Sequence, residues 1–122
     1  MKAKILIADD SAYMRSILKD LLLRNGYDVI GEAENGKEVL DLYGKLKPDA
    51  VVMDIMMPEM SGLQALKEIK ENYPEARVVM SAAMGQQHLV VEAIKAGAAD
   101  FFIRPVQAER VVEAIDKALQ RR

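Results

Sequence analysis

The sequence has no cysteine, which excludes disulfides and thiolate metal sites but does not by itself fix a compartment. It has one histidine, His88, which cannot build a histidine-based metal site alone and is expected to be a solvated residue at the start of a helix. It also lacks an excess of charge: 17 basic against 19 acidic side chains give a net charge of −2, so no basic field is available to hold nucleic acid. No apolar stretch approaches the length of a membrane span, and Met1 to Ala8 is too short, and meets acids too soon, for a signal peptide. A soluble, cytoplasmic protein with no nucleic-acid and no membrane partner is the expectation. Linkers, repeats and low-complexity segments are missing too, so one domain over 1–122 is expected.

What is present is a regular alternation of two patterns. Lys4-Ile5-Leu6-Ile7-Ala8, Ala50-Val51-Val52-Met53 and Phe101-Phe102-Ile103 are short apolar runs of the kind buried on both faces of a sheet. Between them the apolar residues recur at helical spacing. Ser11 can cap a helix carrying Met14, Ile17, Leu18, Leu21 and Leu22, which Asn25-Gly26 stops. Val29-Ile30 lies in a second strand, and Asn35-Gly36 opens a helix with Val39, Leu42, Tyr43 and Leu46 on one face, ended by Pro48. A loop from Ile55 to Gly62 leads to a helix with Leu63, Leu66 and Ile69 that stops near Asn72-Tyr73-Pro74. Arg77 to Ala82 reads as strand four, a helix runs from about Gln87 to Gly97, and Asp100 to Ile103 reads as strand five. Val111, Ile115, Ala118 and Leu119 stripe the last helix. Five βα units in a row predict an α/β domain: a doubly wound parallel sheet with helices on both faces.

The acids follow the strands. Asp9 and Asp10 end the first run, Asp54 ends the third, and Arg104 before Pro105 ends the last. Ligand sites in open parallel sheets lie outside the carboxyl ends of the strands, so these four side chains are expected to converge. Three acids and a cation suit a hard divalent metal together with an anion, a phosphoryl group on a carboxylate. Acids at strand ends also form turns and helix caps, and Asp10 or Ser11 could cap the first helix with no metal present. The third acid, after a separate buried strand, favours the metal. Met56, Met57 and Met60 are expected to pack as loop anchors, because a hard cation has no use for thioether sulfur. Lys67, Glu68, Lys70 and Glu71 read as an exposed helix face laced by i, i+3 and i+4 pairs.

Taken in order, several motifs resemble receiver domains of two-component response regulators over the whole chain, most closely their stand-alone chemotaxis members. They are Asp9-Asp10, Glu34-Asn35-Gly36, Met53-Asp54-Ile55 with Met57-Pro58-x-Met60-x-Gly62, Ala93 to Gly97, Asp100-Phe101 and Arg104-Pro105. The resemblance implies a flavodoxin-like (βα)5 fold with strand order 2-1-3-4-5 and no output domain. It implies that Asp54 is the phosphorylated nucleophile, that Mg²⁺ is held by Asp10, Asp54 and the backbone carbonyl of Met56, with Asp9 acting through water, and that a cis peptide before Pro105 turns Arg104 towards the phosphoryl oxygens. It also implies self-catalysed phosphorylation and dephosphorylation in place of a classical enzyme activity. A histidine kinase or phosphotransfer domain would contact the start of the first helix near Tyr13. A downstream protein, such as a flagellar switch component, would read a surface that includes His88, Val91, Lys95, Phe101 and Arg110, and the protein would be a monomer.

The sequence departs from the family's usual residues at Ala82, Arg104 and Phe101. The strand-four hydroxyl that normally reaches the phosphoryl group falls on Ala82, and Ser81, one residue earlier, is expected to point away from the site because strand side chains alternate. The family's lysine is Arg104, whose planar fork grips phosphate differently from an ammonium. The switch aromatic, commonly tyrosine, is Phe101 and has no polar tip. Met56 and Met84 flank the path of the hydrolytic water in the family, and neither can orient it. One alternative is a binding module of the same fold that works without phosphorylation. Another is a small metal-dependent phosphatase, which would need an Asp-x-Asp where this chain has adjacent acids. Flavin binding is disfavoured, because Asp9-Asp10-Ser11-Ala12 is acidic and has no glycine to cradle a phosphate.

Overall fold

The computed structural model describes residues 2–120; Met1, Arg121 and Arg122 of the expected 1–122 domain lie outside the described residues. The chain order is β1 (Lys4–Ala8), α1 (Ala12–Arg24), β2 (Asp28–Ala33), α2 (Gly36–Leu46), β3 (Ala50–Asp54), α3 (Gly62–Asn72), β4 (Val78–Ala82), α4 (Gln87–Lys95), β5 (Asp100–Ile103) and α5 (Ala108–Gln120). The strands pair in parallel in the order β2-β1-β3-β4-β5, the flavodoxin-like arrangement that the resemblance implies. No helix among the described residues is long and apolar enough to cross a membrane.

Two cores flank the sheet. Leu6, Val51, Met53, Val78 and Met80 face α2, α3 and α4, where Val39, Leu66, Ile69 and Val90 meet them. Ile5, Ile7, Val52, Val79 and Phe102 face α1 and α5, where Leu18, Leu22, Val111 and Ile115 meet them. Neighbouring strand residues thus divide between opposite faces, which is the two-residue period of a strand buried on both sides.

Three helices start where a short polar side chain precedes the apolar stripe. Ser11, Asn35 and Ser61 accept hydrogen bonds from the backbone N–H groups of Met14, Glu38 and Gln64 at 3.2, 2.9 and 3.2 Å. Two of the motif glycines serve close packing near the site. A Cβ on Gly62 would lie 1.9 Å from the Asp54 carbonyl oxygen, and one on Gly36 would lie 2.5 Å from the Met60 carbonyl oxygen. Any side chain at either position would push α3, or the loop before it, away from the end of β3.

Two strand boundaries differ from expectation. β2 extends from Asp28 to Ala33, well beyond the Val29-Ile30 pair. It is an edge strand whose register against β1 shifts between Ile5 and Leu6, and its Gly31 and Glu32 give it no continuous apolar signal. β4 starts at Val78, with Arg77 just outside it.

Candidate functional site

The ends of β1, β3 and β5 bring the expected residues together. Asp9 and Asp10 follow β1, Asp54 is the last residue of β3, and Arg104 follows β5. One carboxylate oxygen from each of Asp9, Asp10 and Asp54 lies within 4.8 Å of the others. Asp9 and Asp54 are buried and Asp10 is exposed. Capping does not account for this cluster. Ser11 is the N-cap of α1, Asp9 Oδ1 accepts the Ser11 N–H at 2.8 Å, and Asp10 makes no hydrogen bond or ion pair among the described residues.

The electrostatics of the cluster are those of a site short of positive charge. Burial pushes the Asp9 carboxyl above the usual carboxylate range, against the pull of the Ser11 N–H, and the neighbouring charge of Asp54 adds to the rise. Burial also raises Asp54, opposed chiefly by the positive charge of Arg104 and then by the Met56 N–H. An all-oxygen donor set with an uncompensated negative charge fits a hard cation such as Mg²⁺.

Asp54 is tethered on one side only. Its Oδ1 accepts from Arg104 Nη1 at 3.2 Å and from the Met56 N–H at 3.3 Å. Its Oδ2 has no hydrogen-bond partner among the described residues, yet is not sealed from solvent. The Arg104–Pro105 peptide is cis, as the resemblance implies, and the Arg104 N–H donates to the Ala82 carbonyl at 2.8 Å.

Two expectations are corrected. Ser81 does not point away from the site: its Oγ accepts from Arg104 Nη1 at 2.8 Å. The register pairs Ser81 with Asp54, so both side chains leave the sheet on the same face, the one that carries Val52 and Val79. It is Ala82 that belongs to the opposite core, alongside Met80 and Val90. The second correction is Met56. Met57 is buried and Met60 packs against the core, but Met56, between the buried Ile55 and Met57, is 50% exposed. Met84 is more exposed still, at 76%.

The residues expected to contact partners fall into two sets. Tyr13 is exposed at the start of α1. On α4, His88, Val91 and Lys95 are exposed, and Val91 and Lys95 join Ile94, Phe101 and Ile103 around an apolar groove of about 520 Å³. Arg110 is engaged within the protein. Its guanidinium lies 5.7 Å from the Phe101 ring centroid and bonds to Asp100, Glu113 and the Phe101 carbonyl. Its hydrogen bond to Asp100 raises its pKa further. Asp100 is the buried partner of Arg110, a role the sequence signals only as an acid at the entrance to an apolar strand with an arginine in the first turn of the next helix.

Comparison with known proteins agrees with this geometry. A family model described as response regulator receiver domain matches residues 5–116. The chemotaxis protein CheY of Bacillus subtilis is 54% identical over 119 residues, covering 98% of this chain and 99% of its own length. That of Thermotoga maritima is 54% identical over 117 residues, covering 96% of this chain and 98% of its own. Among solved structures, the response regulator domain of Thermotoga maritima CheB superposes with a TM-score of 0.92 at 33% identity, covering 100% of this chain and 99% of that one. A chain from the CheX-CheY-BeF3-Mg+2 complex of Borrelia burgdorferi superposes with a TM-score of 0.92 at 30% identity, covering 98% and 90%.

Proposed function

This chain belongs to the response regulator receiver domain family and is a two-component response regulator closely related to CheY, and we propose that it carries its signal as a phosphoryl group on Asp54. The observation that carries this reading is the asymmetry of Asp54: Oδ1 is held by Arg104 and by the Met56 N–H, while Oδ2 has no hydrogen-bond partner among the described residues, in a side chain that belongs to the acid cluster. A carboxylate held in this way is a positioned nucleophile.

In the proposed reaction Asp54 attacks the phosphorus of a phosphohistidine on a kinase or phosphotransfer domain. A P–O bond forms as the P–N bond breaks, and the departing imidazole keeps the electron pair and takes a proton. Water later attacks the same phosphorus, the acyl P–O bond breaks, and inorganic phosphate leaves with the carboxylate restored. Asp9, Asp10, Asp54 and the Met56 carbonyl would hold Mg²⁺, whose charge offsets the negative charge on both reactants. Arg104 would stabilise the transferred group through its remaining N–H donors. The protein is a self-modifying phosphoacceptor and not a classical enzyme.

The CheY of the Borrelia complex was crystallised with CheX, BeF3 and Mg²⁺, which supports the same phosphoryl chemistry here. The output partner, a flagellar switch component or another protein, would read α4 and β5 around the groove of Val91, Lys95 and Phe101. A cytoplasmic monomer without membrane or nucleic-acid partners fits this role. Intact mass after incubation with phosphoramidate tests the assignment. We expect a gain of one phosphoryl group that requires Mg²⁺ and disappears in Asp54→Asn; a gain that survives Asp54→Asn and maps to another acid would refute it.

A further inference from the structure

A hydroxyl and a guanidinium meet below the phosphoacceptor. Ser81 is fully buried, and its Oγ takes one N–H of Arg104 Nη1 at 2.8 Å while Asp54 Oδ1 takes an N–H of the same nitrogen at 3.2 Å. A guanidinium Nη carries two hydrogens, so these two acceptors use both. The three remaining N–H groups, on Nε and Nη2, make no hydrogen bond among the described residues. Ser81 is itself fixed against the end of β3: it stands in register with Asp54, and its carbonyl accepts the Ile55 N–H at 2.9 Å.

An arginine facing a carboxylate tends to pair with both oxygens through two parallel N–H groups. That arrangement would cover Asp54 Oδ2 and occupy donors that an incoming phosphoryl group could use. We propose that Ser81 is a positioning residue for phosphoryl transfer: by taking the second N–H of Nη1 it fixes the roll of the Arg104 fork, keeping the pairing single, Oδ2 open and three donors free for phosphoryl oxygens. A lysine ammonium has no roll to fix, so the need for such a holder comes with the arginine. The hydroxyl on β4 therefore acts through Arg104 in this chain, while Ala82, on the opposite face, brings none to the phosphoryl group.

The proposal rests on Asp54 as phosphoacceptor, and the test separates the two. The rate of phosphorylation by phosphoramidate is measured in the full chain by intact mass, and Mg²⁺ affinity by calorimetry, for the natural protein, Ser81→Ala, Ser81→Cys, Arg104→Lys and Ser81→Ala combined with Arg104→Lys. Ser81→Ala is expected to slow phosphorylation by about tenfold, the worth of one charge-assisted hydrogen bond, with Mg²⁺ affinity changed by less than about twofold. Ser81→Cys fills the buried space with a weak acceptor; it is expected to lose an intermediate amount and carries the test if the alanine variant does not fold. Added to Arg104→Lys, Ser81→Ala is expected to lose less than about twofold. Equal losses on the natural and the Arg104→Lys backgrounds, a fall in Mg²⁺ affinity matching the fall in rate, or an unchanged rate in Ser81→Ala would overturn the positioning role alone. No mass gain in the natural protein would overturn the Asp54 assignment and this role with it.

Discussion

Asp54 and Asp100 are buried to the same degree, at 6% exposure, and each faces an arginine, Arg104 at 3.2 Å and Arg110 at 3.0 Å. The difference is in what remains unpaired. Both oxygens of Asp100 are engaged: Oδ1 accepts from Arg110 Nη2 and from the Phe101 N–H, and Oδ2 accepts from Arg110 Nη1 at 3.4 Å. Asp54 has all its hydrogen-bond partners among the described residues on Oδ1, and two more carboxylates lie close by. The Asp100 pair is complete and holds β5 to α5, with Phe101 under the Arg110 guanidinium. The Asp54 pair leaves one carboxylate oxygen without a hydrogen-bond partner among the described residues. Burial and an arginine partner therefore do not by themselves mark a reactive acid; the unmatched oxygen does.

The sharpest way to break this comparison is to neutralise each acid in turn. Asp54→Asn should abolish phosphorylation, and it should leave the metal-free protein as stable as before, or more so by about 1 kcal/mol, because it removes a charge that burial disfavours. Asp100→Asn should leave phosphorylation by a small-molecule donor in place and cost about 1–3 kcal/mol, because Arg110 and the Phe101 N–H lose their charged acceptor. Urea denaturation of the metal-free variants reads both effects. Equal destabilisation by the two substitutions would mean that the Asp54–Arg104 contact is structural in the same sense as the Asp100–Arg110 contact.

A smaller effect, and one confined to the Asp54 side, comes from pH. The carboxyls of Asp9 and Asp54 are raised from their usual value of 3.8. Protonation of a group whose folded pKa is raised favours the folded state; the stabilisation is complete below 3.8 and is lost as pH rises through the raised folded value. The metal-free protein should therefore lose stability on going from about pH 4 to neutral through these two groups. Mg²⁺ at about a hundredfold its dissociation constant should return about 2.7 kcal/mol at neutral pH and markedly less near about pH 4, where protons compete for the same oxygens. Thermal melts with and without Mg²⁺ across that range check the sign. A metal effect independent of pH would place the ion away from Asp9 and Asp54.

Much of this organisation is legible in the sequence, because the fold rests on patterns that local chemistry enforces. The apolar runs ending at Ala8, Met53 and Ile103 mark buried strands, Ser11 and Asn35 mark helix starts, and three acids at two strand ends mark the site. Ser81 departs from its expected orientation for a physical reason. Alternation correctly puts Ser81 and Ala82 on opposite faces, but which face holds the reactive carboxylate depends on the register between β3 and β4. Register is a property of two strands, set by the helices packed over them, and neither strand encodes it alone. The Arg110–Asp100–Phe101 cluster escapes the sequence similarly, since nothing in β5 or α5 taken singly shows that a guanidinium will cover the ring.

The smallest expected effect concerns the open side of Asp54. Hydrolysis of the aspartyl phosphate needs a water held in line with the P–O bond. The two residues that the family resemblance puts beside that path, Met56 and Met84, are 50% and 76% exposed, and both end in thioethers that bind water weakly. Their exposure makes them replaceable without disturbing the core, so a change in lifetime can be assigned to the water and not to packing. Met56→Asn combined with Met84→Glu supplies an amide and a carboxylate at the two positions that the resemblance puts beside that water and should shorten the lifetime of the phosphorylated protein several-fold. The rate of phosphorylation should change less, because attack by Asp54 does not use that water. Decay of the intact phosphorylated mass with time measures it, with the donor removed and Mg²⁺ kept constant. If the double variant decays at the natural rate, the water is positioned by groups on the tethered side, Arg104 and the backbone around Met56, and the open side of Asp54 serves only to admit the donor.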